Sequence, residues 1–258
     1  MTTLDPVHLQ IDDGVAQITL NRPEAGNSLT VPLCHRLAVA IRAAADDATV
    51  RAVVLAGEGD RFCAGGDVRA MQAATDRAAF VRDLVEAAHG AVRELARLEV
   101  PVLCAVQGAA AGAGLSLVLL SDLVVASPEA RFTTAYAAIG LSPDCGLSWL
   151  LPRAIGTQRA LDWTLRPRAA SAPQALDLGI ITAVVDGSSR ETALAWARDL
   201  VAQAPTAAGN VRTLIRSSYG TGFEEHLGRE AEAIVRAAAS PEAGRLISAF
   251  GAAPTGRN

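Results

Sequence analysis

The sequence predicts one large α/β domain that runs into a helical C-terminal part. Its 258 residues are 50% hydrophobic and 19% charged, which is enough apolar material for a sizeable buried core. Short apolar runs such as Val53-Val54-Leu55-Ala56 and Val102-Leu103-Cys104-Ala105-Val106 are separated by segments with helical spacing. The order strand-strand-helix recurs about three times, unlike the regular strand-helix alternation of a dinucleotide-binding sheet.

Residues 7–10 and 15–20 read as two strands around the turn Asp12-Asp13-Gly14. Asn21-Arg22-Pro23-Glu24 is then a loop. Thr30 is placed to cap a helix over 31–45, with Pro32 tolerated in its first turn and Leu33, Leu37 and Ile41 on one face. Residues 53–56 form a buried strand ending at Gly57, and 60–71 a glycine-rich loop entering a short helix. Leu84, Ala88, Val92 and Leu95 give residues 80–98 a helical face. Residues 102–106 follow as a strand, 112–120 as a buried helix, and 123–126 and 130–133 as short strands. Residues 150–154 and 159–165 are helical, 172–178 form a helix stopped by Gly179, and 181–185 make a final strand. An amphipathic helix spans 192–203, and from Pro205 the chain is helical and more polar, through 212–217 and 224–239. A core over 1–200 and a helical region over 201–258 are expected.

Residues 100–121 carry no charge, as a membrane span would. Pro101, Gln107, Gly108, Gly112 and Gly114 break that run into strand, turn and buried helix. Residues 1–13 lack the apolar stretch of a signal peptide, so a soluble, cytoplasmic protein with no membrane partner is expected. A net charge of -4 without a long basic run argues against a nucleic-acid partner. Cys34, Cys63, Cys104 and Cys145 lack paired spacing and read as reduced thiols. His8, His35, His89 and His226 show no metal spacing, so no metal site is expected. His35 and His89 read as surface or packing residues on helices. No Gly-x-Ser-x-Gly occurs, which leaves a nucleophile-elbow hydrolase unsupported. Gly112-Ala113-Gly114 is not a dinucleotide fingerprint, because Leu117 takes the third glycine position and Asp122 comes too soon to hold a ribose.

Four segments carry a resemblance. They are Asn21-Arg22-Pro23 with Asn27-Ser28-Leu29, then Arg61-Phe62-Cys63-Ala64-Gly65-Gly66-Asp67-Val68. Next come Ala105-Val106-Gln107-Gly108 with Gly112-Ala113-Gly114 and Ser121-Asp122-Leu123. The last is Ile139-Gly140-Leu141-Ser142-Pro143-Asp144, running into Trp149-Leu150-Leu151-Pro152-Arg153. In this order and spacing, over residues 5–200, the chain resembles the enoyl-CoA hydratase/isomerase (crotonase) superfamily. The resemblance implies a spiral of ββα units, a C-terminal trimerisation region, and a homotrimer or dimer of trimers. It also implies that a coenzyme A thioester binds as substrate, with no separate cofactor, and is turned into an enolate. By position, oxyanion donors fall at Gly66 and Ala113, and coenzyme A contacts at Arg22, Cys63, Ala64 and Arg69. Of the tail that reaches a neighbouring subunit's ligand in the family, Phe250 and Arg257 remain, but Gly251-Ala252-Ala253-Pro254 replaces the usual basic stretch.

The glycine segments suit this chemistry on physical grounds. Enolisation puts negative charge on the thioester oxygen, and each preorganised N–H donor aimed at it contributes about 2.7–4 kcal/mol. Gly65 and Gly66 let the backbone approach a ligand, and Ala113 opens a helix whose free amides favour an anion. A lone glycine cluster is explained by tight turns; two in register favour the site.

Hydratases of this family use two glutamates, whose positions here hold Ser116 and Tyr136. A serine hydroxyl is no base at neutral pH, and a tyrosine starts from a pKa of about 10. Asp144 stands instead in a context similar to the isomerase branch, which includes ring-epoxide and Δ3,Δ2-enoyl-CoA isomerases. One carboxylate suffices for a 1,3-proton shift. The alternative is that Asp144 is a turn carboxylate bonded to its own backbone. A related reading makes Asp144 a nucleophile displacing halide from an aromatic acyl-CoA. That reaction wants aromatic surface and a positioned histidine, whereas Trp149, the one suggestive neighbour, reads as core. Isomerase therefore leads, followed by a hydratase with an altered site and a non-catalytic acyl-CoA-binding protein. The pocket wall is expected around residues 71–80.

Overall fold

The computed structural model describes residues 5–252. Strands β1 (Val7–Asp12) and β2 (Val15–Leu20) form a hairpin, with Asp13 and Gly14 at φ 47° and 78° making its turn. Helix α1 (Val31–Asp46) begins where Thr30 accepts the Leu33 N–H. Strand β3 (Ala52–Gly57), the short helix α2 (Val68–Ala73) and the long α3 (Arg77–Arg97) follow. Next come β4 (Val102–Val106), β5 (Ala109–Ala111), α4 (Ala113–Leu120), β6 (Leu123–Ala126) and β7 (Arg131–Thr133). Helices α5 (Leu147–Ile155) and α6 (Thr157–Leu165) lead to β8 (Ala170–Ser171), α7 (Ala172–Asp177) and β9 (Ala183–Val184). Helices α8 (Ser189–Gln203), α9 (Pro205–Ser217), α10 (Phe223–Ala238) and α11 (Pro241–Ala252) complete the chain.

The strands make two sheets. One is six-stranded, in the order β1-β2-β3-β4-β6-β9, and parallel except for its β1–β2 hairpin. The other is three-stranded, β5-β7-β8. A single bridge between Cys63 and Ala110 joins the glycine-rich loop to β5. Successive ββα units wind this spiral, as expected.

The buried run of β3 sorts its side chains by the two-residue period of a strand. Val53 and Leu55 face α1 and α3 in the main core, while Ala52, Val54 and Ala56 face Ala193 and Ala197 of α8. Alanines on both sides let α8 lie close to the sheet. Burying each Val or Leu of this core contributes roughly 1.5–3 kcal/mol.

Helix α9 is fastened to the core by charge. Asp122 accepts from Arg212 Nε at 2.7 Å and from Arg216 Nη2 at 2.8 Å. Arg212 also donates to the Leu95 and Leu98 carbonyls at the end of α3, and its side chain is 4% exposed.

Several boundaries differ from expectation. The second long helix starts at Arg77 because Asp76 caps it, and α5 starts at Leu147, after Gly146. The final strand is only Ala183–Val184. The two-residue β8 and three-residue β5 carry no readable pattern and were not foreseen. The uncharged stretch 100–121 becomes β4, β5 and the eight-residue α4. Among the described residues no helix is long and apolar enough to cross a membrane.

Candidate active site

A cavity of about 320 Å³ opens between the glycine loop, the start of α4 and the turn carrying Asp144. Its apolar wall includes Leu29, Met71 and Leu141, together with Val81, Leu84 and Val85 from α3. The wall expected around residues 71–80 is thus met at Met71 and continues along α3.

Two backbone hydrogen bonds orient the glycine loop. Leu29 N donates to Gly65 O at 2.7 Å, and Asp67 N donates to Leu29 O at 3.0 Å. Peptide groups alternate sides along an extended chain, so the Gly66 N–H faces away from Leu29, and Gly66 lies on the cavity wall. Ala113, on the same wall, is the first residue of α4 and has no partner for its N–H within the helix. Among the described residues neither amide donates a hydrogen bond. Gly65, at φ 88°, lets the loop lie against the residues that lead into α4: a Cβ there would lie 2.8 Å from Ala111 O and 3.6 Å from Ala113 N.

Asp144 reaches the same cavity from the other side. After it, Cys145 and Gly146 adopt φ 51° and 81°, and this left-handed pair turns the chain into α5. Tyr136 donates its hydroxyl to Asp144 Oδ1 in a short hydrogen bond. Burial, reinforced by the Asp144 charge, pushes the Tyr136 pKa far above the usual phenol range, so it remains a donor. Oδ1 is therefore occupied by Tyr136, and the Cys145 thiol is the other side-chain group beside the carboxylate.

His89 of α3 packs behind the turn that carries Asp144 and is not on the cavity wall itself. Its Nε2 accepts the Cys145 N–H at 3.1 Å. Ligand atoms of His89, Asp144 and Cys145 lie within 4.8 Å of one another. Two features oppose metal ligation there: Nε2 is engaged, and burial pushes the Cys145 thiol well above its ordinary range. Sequence reading missed His89, although it falls four residues after Val85, at the edge of the apolar stripe.

A wider groove of about 1020 Å³ shares Ala64, Gly66 and Val68 with the cavity and carries Arg22, Arg61 and Arg69. Arg61 was not singled out from sequence. Arg22 is already committed, donating to Ser28 O at 2.8 Å and to Asp67 at 3.3 Å. Burial opposes it, but the Ala70 N–H and Arg22 hold the Asp67 carboxyl below its usual range.

The structure places Cys63 away from both openings and corrects one expectation, that of Trp149. Cys63 is fully buried, lines neither opening and holds β5 through its backbone, and burial pushes its thiol up to about 12. Its side chain has no path to a ligand. Trp149 is not core but 57% exposed, with Arg153 stacked 3.3 Å from its ring centre and no place on the cavity wall. Ser116 is buried without a hydrogen-bond partner and also lies off the cavity wall. Phe250 is exposed on α11; Arg257 lies outside the described residues.

Residues 10–240 match the family model described as Enoyl-CoA hydratase/isomerase. The chain is 38% identical over 245 residues to 1,2-epoxyphenylacetyl-CoA isomerase of Escherichia coli K12, covering 93% of each protein. It is 30% identical to 4-chlorobenzoyl coenzyme A dehalogenase-2 of an Arthrobacter species, covering 94% of this chain and 90% of the other. Among solved structures, an enoyl-CoA hydratase from Polaromonas sp. JS666 superposes with a TM-score of 0.88 at 33% identity, covering 95% of this chain and 96% of that one.

Proposed function

We propose that this chain, which belongs to the enoyl-CoA hydratase/isomerase family, is an enoyl-CoA isomerase working through Asp144. The observation that carries the reading is that Asp144 is the single carboxylate among the described residues of a cavity that also exposes Gly66 and Ala113. The thioester oxygen sits between those two amides. Asp144 Oδ2 takes a proton from one carbon, and the C–H electrons pass into a dienolate whose charge rests on that oxygen. The same carboxyl then returns the proton two carbons away, so the double bond migrates and no water is consumed.

Hydration is disfavoured because the two glutamate positions hold a buried Ser116 and a Tyr136 that keeps its proton. Halide displacement has the histidine it wants near Asp144, His89, but that ring is engaged by the Cys145 N–H, and Tyr136 is the one aromatic residue on the described cavity wall, so the isomerase is favoured. Arg61 and Arg69 in the outer groove are placed to meet coenzyme A phosphates, with Arg22 shaping the groove through Asp67 and Ala64 at the junction. The exposed Val211, Ile215, Tyr219, Phe223, Ile234 and Val235 of the C-terminal region suit a homotrimer or dimer of trimers. The enzyme so described is cytoplasmic and serves acyl-CoA metabolism.

The test is incubation with a 3-enoyl-CoA and, separately, a 2-enoyl-CoA. Bond migration without net water addition is expected. Hydration alone would refute the isomerase, and tight binding of an acyl-CoA panel without turnover would make the chain a binding protein.

A further inference from the structure

We infer that His89 is a positioning residue for Asp144, acting through the amide of Cys145 from the same helix that walls the acyl cavity. This rests on the isomerase reading above. His89 follows Ala88 and stands one turn beyond Val85, both on the cavity wall. Cys145 is 1% exposed, so its N–H needs a protein partner, and His89 Nε2 accepts it at 3.1 Å. Cys145 also carries a β-carbon at φ 51°, a conformation that persists only where the surroundings hold it. Beyond it, Leu147 N donates to Asp144 O at 2.9 Å. The aspartate is thus held at its carboxylate by Tyr136, at its carbonyl by Leu147, and at the next peptide by His89.

Accepting at Nε2 leaves the neutral ring's proton on Nδ1, so neither nitrogen has a free lone pair. His89 in this arrangement positions; it does not take protons from substrate or water. Its loss should damage turnover more than binding.

His89→Gln sets an amide oxygen near the place of Nε2, whereas the shorter His89→Asn leaves that place empty. The Gln variant should keep kcat within about threefold of the unmodified enzyme, and the Asn variant should lose roughly tenfold with KM within about threefold. In D2O the Asn variant should incorporate more solvent deuterium per turnover, because a loosened carboxyl exchanges its proton before returning it. Equal kcat for both variants, or a loss confined to KM, overturns the inference. Asp144→Asn assayed alongside separates the two ideas: if it turns over normally the isomerase reading itself fails, whatever His89 does. Should His89→Asn not fold, 15N NMR of the unmodified protein still decides, since a His89 ring protonated at Nε2 and bare at Nδ1 overturns the inference.

Discussion

Tyr136 donates its hydroxyl hydrogen bond to Asp144 Oδ1 and so ties down one of the two carboxylate oxygens. Tyr136→Phe keeps the buried ring and removes only that donor. It should lower isomerase kcat about tenfold with little change in melting temperature, measured by steady-state kinetics beside a thermal melt. Asp144→Asn removes the base and should cost about 10²–10⁴-fold in kcat, as general bases do. At this scale the shared cavity wall of Gly66, Ala113 and Asp144 was legible because each belongs to a contiguous pattern. His89 was not, since the sequence does not announce that position 89 meets position 145. Trp149 misled because an aromatic in an apolar run normally lies inside, yet here it is exposed with Arg153 stacked on its ring.

Helix α4 packs its first turn directly on the glycine loop. A Cβ added at Gly114 would stand 2.3 Å from Cys63 O, a backbone atom that cannot swing aside. Gly114→Ala should therefore destabilise by about 1–3 kcal/mol or more, read as a lower denaturation midpoint in urea. Helix α2 depends on Asp67, which accepts the Ala70 N–H at 3.1 Å while paired with Arg22. Its folded pKa is depressed, so its charge stabilises the fold above the unfolded value of 3.8 and the benefit is lost as pH falls through the lower folded value. Asp67→Asn keeps the cap and should cost up to about 1 kcal/mol at neutral pH. That difference should shrink below pH 3.8 in paired melts across pH. Long periodic elements such as α1 and α3 were readable from spacing and caps. Strands β5 and β8 were invisible because two or three alanines and serines set no period, and their pairing is decided by distant β7.

Across the whole molecule, Asp122 ties the C-terminal helices to the spiral. Burial pulls the Arg212 pKa down, and Asp122 resists that pull. Asp122→Ala would leave Arg212 buried without its counter-charge and should cost about 3–5 kcal/mol, seen in calorimetry as a large fall in melting temperature. The ββα winding was readable from its recurring order, whereas this tie was not, because it joins residues 122 and 212 across α5 to α8. The Leu29–Gly66 bridge leaves the Gly66 amide, among the described residues, unclaimed on its far side. Any acyl oxygen that lodges there supplies the missing rung of a ladder. Docking and seam-tightening then become one event, and a two-carbon thioester should slow deuterium uptake at Gly66 as fully as a long-chain one.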